Sequence, residues 1–408
     1  MADFIEGGIT TPQGFKAAGV HSGVKYRSLD LGMLYSEVPA TAFAAYTSNA
    51  VKAAPVQVMM SDDSPELSAI VINSGNANAL TGRRGLEDAR AMQQAAATEL
   101  DLDPKAVGIM STGLIGRFLD MHKIRYGISR ASRELDIGRE ADGLITEAIM
   151  TTDTIKKEAS ARVRLEDGTL VYISAISKGS GMIAPHMKVL QGTTLSLVTT
   201  DARLTPAFKA TWQEILDDSM NMVSVDGDQS TNDTCILLAN GMAEGSPADE
   251  DPAFIEALQA VMTRIARTIA LDGEGATKLI EVQVTGAESK DDARKAVRKV
   301  INSPLVKSAI FGSDPNYGRI MMALGNSGCK FNLEEVHLTI KGGDMEVPIL
   351  DSGAPVFQEE RSVEVVRMAM DNKEVSILLD LGVGSESATG WGCDLTYDYV
   401  RINAEYAT

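Results

Sequence analysis

Lys178-Gly-Ser-Gly-Met-Ile-Ala-Pro-His-Met-Lys-Val-Leu-Gln-Gly-Thr-Thr-Leu-Ser-Leu-Val-Thr-Thr-Asp201 is the most informative stretch of the chain. It opens on a glycine-rich turn and closes on a short apolar run, Leu195–Val198, that reads as a buried strand. Between the two, Gly192 stands directly before Thr193. Taken alone, that step is a turn entering a strand. Upstream, Ser160–Ser174 reads as a hairpin turning at Asp167-Gly168, and Leu67–Asn73 reads as a buried strand followed by a helix over Gly85–Leu100. Downstream, Thr205 and Pro206 signal a helix start, and Ser289 caps a second helix with Asp291 and Asp292 in its first turn. Lys278–Val284 and Val375–Leu379 read as strands. The alternation predicts an α/β protein with mixed sheets flanked by helices. No composition shift, low-complexity linker or repeat divides it into independent domains.

Composition narrows the function. With 408 residues, 44% hydrophobic and 23% charged, the chain reads as an ordinary globular protein with a large core. The net charge of −18 argues against nucleic acid and anionic membranes. No apolar run is long enough to span a bilayer, and the N-terminus has no secretory h-region. The three cysteines, Cys235, Cys329 and Cys393, are too scattered for a disulfide framework or a zinc site, which predicts a reducing compartment. The four histidines show no metal-ligand spacing, and no metal is expected.

Several small polar loops fall where strands should end, the usual place for ligand sites in α/β proteins. They include Asn73-Ser-Gly-Asn-Ala-Asn78, Ser111-Thr-Gly113, Thr151-Thr-Asp-Thr154, Val225-Asp-Gly-Asp-Gln-Ser-Thr-Asn-Asp233, Gly273-Glu-Gly275 and Ser313-Asp-Pro-Asn-Tyr-Gly-Arg319. Each alone reads as a turn with Asx capping. Gly382-Val-Gly384 lacks the third glycine of a dinucleotide fingerprint, there is no P-loop, and Asp226–Asp233 has Thr231 where a calcium loop needs glycine.

Taken together and in order, these segments resemble the ornithine acetyltransferase (glutamate N-acetyltransferase) family of arginine biosynthesis. The carrying motifs are K-A-A-P at Lys52, N-S-G-N-A-N, S-T-G, I-M-T-T-D-T, K-G-S-G-M-I-A-P, V-D-G-D-x-S-T-N-D, D-G-E-G-A-T-K, D-P-N-x-G-R and D-L-T-Y-D-Y-V-R-I-N, from one end of the chain to the other. The resemblance implies a layered α/β fold of two intertwined lobes, akin to a related aminopeptidase fold. It also implies an enzyme that cuts itself between Gly192 and Thr193. Residues 1–192 would form an alpha chain and 193–408 a beta chain, held as one unit and assembled as an alpha2beta2 heterotetramer in the cytoplasm. Glycine at 192 tolerates the strained backbone that an acyl shift needs. The freed α-amino group of Thr193, with a pKa of about 7.7–8.0 in model compounds, can serve as its own base.

The same resemblance implies the remaining roles. Thr112 and Gly113 match the oxyanion hole, and Lys178 matches the lysine beside the nucleophile. Thr151 or Thr152 matches a substrate-contacting threonine, Glu274 the glutamate that serves the substrate amine, and Asn403 and Thr408 the C-terminal substrate positions. N2-acetylornithine would acylate Thr193 and glutamate would take the acetyl group, with no cofactor. No residue reads as a coenzyme A site, so this exchange is the expected cycle, with acetyl-CoA as a further donor being the alternative. The rivals are a self-cleaving aminopeptidase or amidohydrolase with water as acceptor, and an uncleaved metabolite-binding protein. The chain also departs from the family. Lys178 and Thr193 lie fifteen positions apart rather than eleven, the extra residues falling near Lys188–Gln191. His186 replaces asparagine and Thr194 replaces methionine. An ungapped match would put Val189, which cannot act, at the nucleophile. Thr193 keeps Leu195, Val198 and Thr199–Ala202 in register, and Thr194 is the other candidate.

Overall fold

The computed structural model describes residues 2–184, 194–356 and 360–405, without the side chains of 360–362. The chain forms two compact units. One runs through Gly179, resumes as far as Asn221 and adds Gln229–Ile265; the other comprises Ser180–Ala184, Met222–Asp228 and the chain from Ala266 onward. The chain therefore changes units directly after Gly179, within the glycine-rich turn, and neither unit ends at the expected cut.

The first unit is built on a nine-stranded mixed sheet. Its strands run in the order Asp3–Ile5, Lys157–Arg164, Leu170–Lys178, Leu195–Thr200, Thr234–Ala239, Leu31–Tyr46, Glu66–Asn76 and Val107–Leu114, with Phe15–Val20 also paired to Leu31–Tyr46. The expected hairpin is present, Lys157–Arg164 against Leu170–Lys178. Leu195–Thr200 lies in the middle of the sheet, antiparallel to Leu170–Lys178 and parallel to Thr234–Ala239. Every residue of this parallel pair is buried, as strands covered on both faces require. Helices Arg139–Ile149 and Met121–Arg133 pack on Leu31–Tyr46, and Gly82–Leu100 packs on Val107–Leu114.

The second unit has a seven-stranded mixed sheet, in the order Ala354–Pro355, Met345–Asp351, His337–Gly342, Glu374–Asp380, Leu279–Ala287, Glu386–Cys393 and Val223–Ser224. Helix Lys290–Ile301 packs on Leu279–Ala287 and Glu386–Cys393. It is capped as expected, Ser289 accepting the Asp292 N–H at 3.1 Å. Two helix starts differ from the sequence reading. Thr205 caps a 3-10 turn, Pro206–Phe208, before the α-helix Lys209–Asp217 begins. The helix expected from Gly85 begins at Gly82, since the Gly85 N–H already donates to Thr81 O at 3.2 Å and Gly82 supplies a positive φ at the turn. Among the described residues no helix is long and apolar enough to cross a membrane, and no group of three or more His, Cys, Asp or Glu is arranged to hold a metal.

Candidate active site

In the first unit the polar motifs meet where two parallel strands end. Glu66–Asn76 and Val107–Leu114 pair with Asn73 opposite Ser111, Ser74 opposite Thr112 and Gly75 opposite Gly113. N-S-G-N-A-N and S-T-G are thus adjacent strand ends. Buried hydrogen bonds hold them: Ser111 Oγ donates to Asn73 Oδ1 at 2.6 Å, and Asn232 Nδ2 reaches both Ala77 O (2.6 Å) and Ser111 O (2.8 Å). Gly113 has φ +127°, and a Cβ there would meet the Gly75–Asn76 backbone, Asn76 N at 2.6 Å. Only glycine fits, which leaves the Gly113 peptide fixed beside Thr112.

Lys178, last residue of its strand, donates to Thr112 Oγ1 at 3.3 Å. Both side chains are buried. Behind them lies a fully buried ion pair, Lys157 Nζ to Asp153 Oδ1 at 2.7 Å. Asp153 also accepts the Gly179 N–H at 2.7 Å and the Thr151 N–H at 2.9 Å. Burial pushes the Asp153 pKa up, but Lys178, Lys157 and these hydrogen bonds outweigh it and hold the carboxyl at about 2. Lys25 donates to Leu29 O (3.0 Å) and Met150 O (2.6 Å). Burial brings its pKa down to about 8, helped by the charge on Lys178 and opposed by Asp30. Thr151 and Thr152 are half-buried on the bend that carries Asp153.

In the second unit Glu274 is buried and accepts a hydrogen bond from Asn403 Nδ2 at 2.9 Å. Its own N–H donates to Ser180 O at 2.9 Å, and the Ser180 hydroxyl donates to Asp272 O at 2.7 Å. Asn403 lies on the exposed helix Tyr397–Glu405, whose first turn is capped by Thr396 Oγ1 accepting the Tyr399 N–H at 3.2 Å. Gly275, at φ +69°, lets the chain approach that turn, since a Cβ would stand 2.6 Å from Tyr399 N.

Of the residues expected from the sequence, the fold joins Thr112, Gly113 and Lys178 in one unit and Glu274 with Asn403 in the other. Gly192, Thr193 and Thr408 lie outside the described residues, as do His186, Val189 and the extra residues Lys188–Gln191. Asp153, Lys157, Lys25 and Asn232 carried no assigned role in the sequence reading. Asp153 and Asn232 sit inside quoted motifs, but nothing in the sequence marked Lys25 or Lys157.

The chain resembles known proteins along nearly its whole length. The family model described as the ArgJ family matches residues 16–408. The arginine biosynthesis bifunctional protein ArgJ of Symbiobacterium thermophilum is 46% identical over 417 residues, covering 100% of both chains. The glutamate N-acetyltransferase of Methanothermobacter thermautotrophicus is 44% identical over 414 residues, covering 99% of this chain and 98% of that one. The structure of ornithine acetyltransferase complexed with ornithine from Mycobacterium tuberculosis is 36% identical, with a TM-score of 0.43, covering 46% of this chain and 100% of that one. The chain is an acyltransferase. It belongs to the ArgJ family, whose model covers it almost from end to end.

Proposed function

We propose that this acyltransferase of arginine biosynthesis moves the acetyl group of N2-acetylornithine to glutamate through an acetyl ester on Thr193. The observation that carries the reading is the Lys178–Thr112 hydrogen bond beside Gly113. An ammonium donating to the Thr112 oxygen polarises its O–H, which is then a stronger donor to an oxyanion. The Thr112 hydroxyl and the Gly113 N–H serve as the paired donors for the tetrahedral alkoxide. The chain first cuts itself between Gly192 and Thr193, giving pieces of 192 and 216 residues. The Thr193 hydroxyl then attacks the acetyl carbon, its proton passing to the Thr193 amino group. The C–N bond breaks and ornithine leaves with that proton. Glutamate's amine attacks the ester, and Thr193 regains its hydroxyl as N-acetylglutamate departs. Glu274, held by Asn403, receives the substrate ammonium or its proton. One threonine of the Thr151-Thr152 bend contacts substrate, and Thr408 completes the C-terminal side. The Thr194 hydroxyl is engaged with Ser196 Oγ at 3.2 Å, which favours Thr193 as nucleophile. No cofactor takes part. The pieces stay together as an alpha2beta2 assembly in the cytoplasm.

Intact mass and N-terminal sequencing test this directly. The larger piece should begin Thr-Thr-Leu-Ser, and Thr193→Ala should leave one folded, full-length chain. Acetylornithine alone should add about 42 Da, one acetyl group, to the larger piece, and glutamate should remove it. A piece starting at Thr194, or water accepting the acetyl group as readily as glutamate, would defeat the reading. A second reading, with acetyl-CoA as an additional donor, is favoured by the word bifunctional in the name of the Symbiobacterium relative. N-acetylglutamate made from acetyl-CoA and glutamate, with acetylornithine absent, would establish it.

A further inference from the structure

The strand Leu31–Tyr46 outruns one of its neighbours, and a cavity of about 200 Å³ opens in the gap. Its pairing with Glu66–Asn76 ends at Thr41 opposite Glu66, where the Ala42 N–H donates to Pro65 O at 2.8 Å. Beyond that point the strand pairs only with Thr234–Ala239. Backbone groups alternate sides along a strand, so Ala44, two residues on from Ala42, turns its N–H and carbonyl into the gap. The helix Ala54–Asp62, opened by the K-A-A-P motif, walls one side with Met59 and Asp62. Phe43, Leu67 and Val107 are buried and complete an apolar lining. All of these residues belong to the first unit.

The polar groups of the cavity are of both signs. Tyr46 lines it at 5% exposure, and its hydroxyl makes no hydrogen bond among the described residues. Such a hydroxyl is costly to keep unless something else answers it. Burial raises its pKa and the charges of Asp63 and Asp62 add to the rise, so it stays un-ionised in the field of both carboxylates. Asp62 is fully engaged: Arg90 Nη1 holds its oxygens at 2.7 and 2.6 Å, and Gln93 Nε2 holds one at 2.9 Å. Asp63, Lys105 and Lys209 stand exposed at the rim with no ion pair among the described residues. A ligand of one sign would leave the other unanswered, whereas a zwitterion meets both. The volume, below the roughly 300–1,000 Å³ of drug-sized sites yet many times that of one water, sets the ligand's size.

We propose that this cavity binds a free α-amino acid with an apolar side chain. Asp63 and the Tyr46 oxygen receive the ammonium, the rim lysines Lys105 and Lys209 receive the carboxylate, and the side chain lies against Phe43, Met59 and Leu67. The site is separate from the strand-end donors. Val107 lines the cavity, while Gly113 lies six residues further along the same strand, about 20 Å away at about 3.3 Å per residue. The site therefore goes beyond acetyl transfer and does not depend on it.

Titration calorimetry on the full chain tests it, with leucine and phenylalanine as probes. Two truncated probes accompany them: 3-methylbutylamine, which is leucine without its carboxylate, and 4-methylpentanoate, which is leucine without its ammonium. An amino acid should bind once per chain, and each truncated probe at least about tenfold more weakly, as loss of one charge-assisted pair allows. Tyr46→Phe breaks no hydrogen bond within the protein, so it should keep the wild-type Tm and turnover while weakening leucine about threefold or more. Asp63→Asn should weaken leucine and 3-methylbutylamine and leave 4-methylpentanoate unchanged. Absence of binding by leucine and phenylalanine alike would overturn the proposal. So would a truncated probe that binds as tightly as leucine, or wild-type affinity for leucine in both variants. A chain that binds leucine in this way but transfers no acetyl group would defeat the function proposed above and leave this site standing.

Discussion

Gly113 and Gly181 are both glycines that have no room for a side chain, yet they protect different things. At Gly113 the obstacle is backbone: a Cβ would strike the Gly75–Asn76 peptide of the neighbouring strand, and φ is +127°. At Gly181 the obstacle is a side chain, the Glu274 carboxylate, with Oε1 at 2.6 Å. The first glycine belongs to a rigid frame of paired strand ends and buried amide hydrogen bonds. The second makes room for one buried carboxylate, steadied by Asn403 of an exposed helix near the C-terminal end. In the proposed reaction the donors for a developing charge must be fixed in advance, whereas the carboxylate proposed to receive two different amino acids gains from being adjustable.

Four measurements can break or sharpen that contrast. Gly113→Ala should have the largest effect, destabilising the protein by on the order of 3 kcal/mol and removing activity, read from the denaturant midpoint and from turnover. If it is tolerated, the frame is not rigid. Thr112→Ala should lower turnover by roughly 10²–10³-fold with little change in Tm, since only one donor is lost. Parallel losses of stability and turnover would make Ser111-Thr-Gly113 a structural element instead. Gly181→Ala should weaken turnover or KM by about tenfold and leave the fold intact, because the Glu274 side chain can move aside. A fall in stability as large as that of Gly113→Ala would erase the distinction. The smallest effect concerns acid. The Asp153 carboxyl sits at about 2 in the folded chain against an ordinary 3.8. Its stabilisation is thus fully present above the ordinary value and is lost as pH falls from about 4 towards 2. Stability measured through that window should fall with pH in wild type, and Asp153→Asn should flatten the slope.

Strands and caps were legible because they depend on neighbours in sequence. Leu195–Thr200 is an apolar run, and Ser289 with Asp292 is a local cap. The strand-end motifs were legible as polar loops, but their partnership was not. Asn232 reaches Ala77 across 155 positions, a distance no periodicity spans. Lys157 reads as an ordinary hydrophilic residue at the start of a strand. Its complete burial follows only from Asp153 facing it across a bend. Thr194 is the clearest case: its sequence suggests a simple strand entry, while it has φ +83° and its N–H is held by a carboxylate thirty-nine residues away. Tertiary contacts override local preference where the chemistry needs an unusual geometry.

The place of Leu195–Thr200 in the sheet has a mechanical consequence. Its antiparallel partner, Leu170–Lys178, precedes position 192, and its parallel partner, Thr234–Ala239, follows it. Beyond these, Leu31–Tyr46 from the early chain pairs again with Thr234–Ala239. Strands from before and after position 192 therefore alternate across one hydrogen-bonded sheet. The proposed break of one peptide bond there would be a nick and not a division, leaving two pieces laced together that come apart only when the sheet itself melts. Mild conditions that separate ordinary subunits, such as dilution or high salt, should leave the nicked molecule whole. Heating should release both pieces in a single transition.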